Sequence, residues 1–143
     1  MNRSAAVAGA ALLGALSACS SGPHSIAEST YAGLPAGRAA ALDLPAAGAL
    51  ATLTNGRLAL TFWGSGDCPT VPTRLRVLDS STVAVTVSRT YDHDCDADLR
   101  PTTSEISVAG KHVDLDQRLV VRLTGAGFPP GQVVRPTSGS GGY

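Results

Sequence analysis

The sequence predicts an all-β fold, a small β-sandwich or open barrel, and three observations lead there. From about residue 50 to 135 apolar and polar residues alternate in runs of four to eight, the period of half-buried strands. Turn-forming residues interrupt these runs every eight to twelve positions, the spacing of strands in sandwiches and barrels. No amphipathic helical period follows the first 18 residues, and no internal repeat is present. A chain of 143 residues holds one such domain.

The N-terminal 1–18 read as an export signal. Arg3 gives a positive start, and Ala5 to Leu16 is an uncharged, mostly apolar run. Twelve or so residues cannot span a hydrocarbon core of about 30 Å, but they match a signal-peptide core. There is no twin arginine, which favours general secretion. Leu16-Ser17-Ala18-Cys19 resembles the bacterial lipobox, in which an aliphatic and two small residues precede an obligatory cysteine. The resemblance implies that Cys19 takes a diacylglyceryl group, is acylated further (palmitate) and becomes the new N-terminus. Each buried methylene contributes about 0.8 kcal/mol, and two or more chains hold a protein stably on a bilayer. An ordinary secretory signal with a chance cysteine is the competing reading. The expected address is the extracytoplasmic face of the cell membrane.

From 19 to 49 the composition is Ser, Gly, Ala and Pro, which reads as a flexible tether. Alanines between Arg38 and Leu42 permit a turn or two of helix, closely bracketed by Pro35 and Pro45. The β domain is expected over 50–135. Ala49–Thr54, Asn55-Gly56 and Arg57–Trp63 form a hairpin signal, because Asn-Gly supplies the positive φ angles of a type I′ turn. Leu58, Leu60 and Phe62 share one face. Pro69 and Pro72 keep the next segment extended and out of a central ladder. Thr73–Leu78 and Thr82–Ser88 form a second hairpin around Asp79-Ser80-Ser81, with Val83, Val85 and Val87 inward. Further strands are expected over 103–108, in a short piece at 113–116, and over 119–124. Gly125 to Gly131 reads as a Gly/Pro loop, Val133-Val134 as a last pairing, and 136–143 as a disordered tail.

Three cysteines are present. With Cys19 assigned to the lipid, Cys68 and Cys95 remain as an even pair in a disulfide-permissive compartment. A disulfide closing their loop contributes about 3–4 kcal/mol in the chain-entropy model. A pair of free reactive thiols is the alternative. Trp63, Gly64, Ser65, Cys68 and Pro69, followed by Cys95, Ala97, Asp98, Leu99, Pro101, Thr102 and Thr103, resemble a small cysteine-paired domain of actinobacterial lipoproteins and secreted proteins. The resemblance spans roughly 50–124. It implies the same disulfide and brings no established activity.

Formal net charge is zero, so neither a nucleic-acid footprint nor a polybasic membrane patch is implied. Asp92, Asp94, Asp96 and Asp98 are the one site-like constellation. Their spacing resembles the opening of a calcium loop, with Asp92, Asp94 and Asp96 as candidate ligands. Ala97 stands where the turn glycine belongs, and Thr103 where a bidentate glutamate belongs. A solvated acidic loop is therefore preferred, and no cofactor is expected. Trp63, Ser65 and Asp67 complete the candidate binding set, with Trp63 expected to pack on the disulfide. His93 with nearby carboxylates is the alternative, a small envelope hydrolase, although Gly64-Ser65-Gly66 lacks the nucleophile-elbow spacing. Arg74 and Arg76 could meet an anionic polymer, or simply be solvated. The preferred expectation is a monomeric, non-catalytic module. Its partners would be the membrane, through the lipid, and an envelope protein or glycan, with no nucleic acid.

Overall fold

The computed structural model describes residues 23–36, 38, 45, 48–90 and 94–138. The signal segment, Cys19, Asp92, His93 and all but Arg38 of the expected helical turn lie outside them. Within the described residues the chain is all-β. The strands are β1 (Ser29–Ala32), β2 (Ala49–Thr54), β3 (Arg57–Gly64), β4 (Thr70–Asp79), β5 (Thr82–Arg89), β6 (Arg100–Ser107), β7 (Val120–Gly125), β8 (Phe128–Val134) and β9 (Thr137–Ser138). They make a five-stranded sheet in the order β1-β6-β3-β2-β9 and a four-stranded sheet in the order β4-β5-β7-β8.

Alternation explains how the two sheets meet. Leu58, Leu60 and Phe62 of β3 and Ile106 of β6 join Val83, Val85 and Val87 of β5 and Val121 and Leu123 of β7 in one buried cluster. Both hairpins expected around 55–56 and 79–81 form. Asn55 and Gly56 take φ of 49° and 75°, the left-handed pair that a type I′ turn needs. Asp79 holds the second turn by accepting bonds from the Ser81 amide at 2.8 Å and hydroxyl at 3.0 Å. The Ser81 amide is the main reason the Asp79 carboxyl titrates below its ordinary range.

The sheet extends beyond the expected 50–135 boundaries. β1 lies inside the segment read as tether and pairs antiparallel with β6, Ser29 opposite Glu105 and Ala32 opposite Thr102. Ser-Thr-Tyr-Ala has no apolar alternation, so its strand is set by the backbone ladder and by side chains from far along the chain. The Tyr31 hydroxyl donates to Glu105 at 3.0 Å. At the other end β9 pairs parallel with β2 inside the segment read as a disordered tail. β8 runs through Pro129-Pro130-Gly131, where a loop was expected. It is an edge strand, and the register shifts between Leu123 and Gly125, so the prolines need not donate to the ladder. Residues 113–116 are coil and turn rather than a strand.

The outer face of the five-stranded sheet is not the polar face that alternation suggests. Thr52, Ala59, Thr61 and Thr103 are all buried there. Thr103 donates its hydroxyl proton to the Gly33 carbonyl at 2.6 Å, so Thr61, 2.8 Å away, is the donor to Thr103. The segment after β1 is thus tied over this face. β3 passes to β4, and β5 passes back to β6, by loops at one end of the sandwich. The Cys68–Cys95 disulfide joins those loops, with Cα atoms 5.7 Å apart.

Candidate functional site

The β3–β4 and β5–β6 loops and the β7–β8 turn enclose a cavity of about 350 Å³. Trp63, Ser65, Cys68, Cys95, Asp96 and Asp98 line it, as do Thr70, Arg89, Ala126 and Phe128. β3 ends by presenting Trp63, which is half-buried, and β4 begins by presenting Thr70. Phe128, the first residue of β8, packs against Phe62 with ring centroids 5.8 Å apart and planes tilted by 59°. The lining therefore combines aromatic residues with two carboxylates and a guanidinium.

Hydrogen bonds bind the loops to each other as well as the disulfide does. Asp98 accepts from the Gly66 amide at 3.1 Å and forms a 2.5 Å ion pair with Arg100. The Ser65 hydroxyl oxygen accepts from the Asp67 amide at 3.3 Å, so Ser65 stabilises its own turn. Asp96 shares a hydrogen bond with Asp67 across the loops. That bond, and then the Asp67 charge, push the Asp96 carboxyl above its ordinary range.

Of the residues singled out from sequence, Trp63, Ser65, Asp96 and Asp98 line one cavity, and Asp67 joins them through Asp96. Asp94 is exposed and, with residues 94–99, belongs to no strand before Arg100. Asp92 and His93 lie outside the described residues. Among the described residues no group of three His, Cys, Asp or Glu side chains converges as a metal site. His24 and His112 are exposed and do not line the cavity. Sequence reasoning missed Phe128 and Arg89. Phe128 is one of only two phenylalanines in the chain, but it stood in an apparent loop.

Comparison of the chain with protein-family models, with curated proteins and with solved structures yields no match.

Proposed function

We propose that the chain is a membrane-anchored lipoprotein whose sandwich is a non-catalytic module binding an envelope glycan at the disulfide-joined end. The observation that carries this reading is the composition of the cavity lining: two aromatic residues, Trp63 and Phe128, together with Asp96, Asp98 and Arg89. Aromatic faces bury the C–H surfaces of a ligand, and charged rims form the stronger hydrogen bonds to its hydroxyls. The cavity volume lies at the lower end of small-molecule sites, about 300–1,000 Å³. Ser65 is engaged by the Asp67 amide, which supports a structural rather than a nucleophilic role.

Trp63 is the only tryptophan, so its emission reports directly on the cavity. Titration with soluble peptidoglycan and polysaccharide fragments should change that emission saturably. By calorimetry, Trp63→Ala should weaken binding at least about tenfold, as loss of an anchoring aromatic does. Arg89→Ala tests the rim without touching the core, because Arg89 is exposed. Unchanged affinity in both variants would remove the cavity as the site.

A further inference from the structure

We propose that the outer face of the four-stranded sheet is a docking surface for anionic phospholipid headgroups, so that the domain lies with this face on its membrane. This rests on the lipid-anchor reading for which membrane is met, but not for the surface itself. Pairing builds the surface. β4 sets Arg74 opposite Thr86 and Arg76 opposite Ala84 on β5. β5 and β7 are parallel neighbours, and their register sets Ala84 beside Arg122. Val133 of β8 is the next partner of Arg122. Val83, Val85, Val87, Val121 and Leu123 fill the core, so the arginines emerge together on the opposite side.

Arg74, Arg76 and Arg122 are all exposed, and among the described residues none has a carboxylate within ion-pair distance. Arg57 and Arg100, elsewhere on the molecule, are both paired. Asp79, at the end of β4 opposite Thr82, is the one acidic strand position of this face among the described residues, and its carboxylate is engaged by the Ser81 amide and hydroxyl of its own turn. Leu78 and Val133, 44 % and 39 % exposed, add apolar side chains to the rim of the arginine set. Cations with scattered apolar groups on a flat face suit a headgroup layer better than a groove-shaped ligand would.

The chain also arrives at the right place. The Ile26 amide donates to the Pro72 carbonyl of β4, the edge strand that carries Arg74 and Arg76. Ile26 and Arg74 line the same groove. Seven positions separate Cys19 from Ile26. Fully extended they reach at most about 25 Å, so a lipid on Cys19 keeps the domain within one domain diameter of the bilayer. Each arginine near an anionic surface strengthens attachment about fivefold, enough to orient an anchored domain but not to hold a free one tightly.

The chain from Ser20 onward contains every strand and core residue among those described, and serves as the unlipidated probe. It should cosediment with phosphatidylcholine vesicles containing one-third phosphatidylglycerol, not with pure phosphatidylcholine, and high salt should release it. Arg74→Gln/Arg76→Gln/Arg122→Gln together should lower partitioning about a hundredfold. Arg38→Gln/Arg118→Gln/Arg135→Gln remove equal charge elsewhere and should leave it nearly unchanged. Equal binding to both vesicles, equal loss in both triple variants, or binding to soluble polyglycerol phosphate but not to vesicles would each overturn the proposal. Membrane fractionation of cells making Cys19→Ala judges the anchor separately. Vesicle binding by the Ser20 chain with no effect of Cys19→Ala would fault the anchor and leave the face standing. The reverse result would fault the face alone.

Discussion

Glu105 shows how much one residue can organise. Its carboxylate accepts from the Tyr31 hydroxyl at 3.0 Å, from the Ser29 hydroxyl at 3.3 Å and from Arg57 at 3.4 Å. Arg57 in turn reaches Glu28 at 3.4 Å, so one carboxylate ties β1 and its lead-in to β3 and β6. Burial first, then donation to Glu105 and its charge, push the Tyr31 hydroxyl up to about 12. Its neutral form is favoured in the folded protein. The stabilisation is complete below about 10 and is lost as pH rises toward about 12. Alkaline unfolding monitored by circular dichroism should therefore steepen over that window in the wild-type protein, and Tyr31→Phe should flatten it. A wild-type profile matched by the phenylalanine variant would show that the bond to Glu105 carries no linkage. Nothing in the local sequence around Tyr31 announces this role, because its partner lies seventy-four positions away.

At the scale of elements, the β7–β8 turn is the most demanding point of the chain. Gly125 has φ of 99°, and a Cβ there would run into the Val87 carbonyl oxygen at the end of β5. Strain and overlap act together, so Gly125→Ala should cost about 2–4 kcal/mol in denaturant unfolding. Gly131→Ala is the comparison: its φ of 72° carries the strain without any neighbour within 4 Å, and its loss should be smaller. Equal losses would place the whole effect in the backbone angle. The two hairpins around Asn55-Gly56 and Asp79 were legible because turn chemistry and alternation lie within a dozen residues. β1, β8 and β9 were not, since their stability comes from edges offered by strands distant in sequence. The same distance hides the arginine face: Arg76 and Arg122 become neighbours only because β6 leaves for the other sheet and lets β7 pair with β5.

For the molecule as a whole, the disulfide joins the β3–β4 and β5–β6 loops beside the cavity that its cysteines line. It spans 27 positions. Cys68→Ala/Cys95→Ala should lower stability by about 3–4 kcal/mol, and the melting temperature by about 15–25 °C for a domain of this size. A much smaller shift would mean that the Asp98–Gly66 bond and the Phe62–Phe128 contact already fix the loops. The sequence by itself determined the all-β class, the two local hairpins, the inward valines and leucines, and the pairing of Cys68 with Cys95. Each of these follows from periodicity, turn residues or cysteine count, which act over short range or by elimination. Only the tertiary structure decided that an apparent tether supplies a strand, that Phe128 and Arg89 join Trp63 around one cavity, and that three arginines share an uncovered face. Those outcomes depend on which strands become neighbours. That choice is made by burying the core as a whole, not by any segment alone.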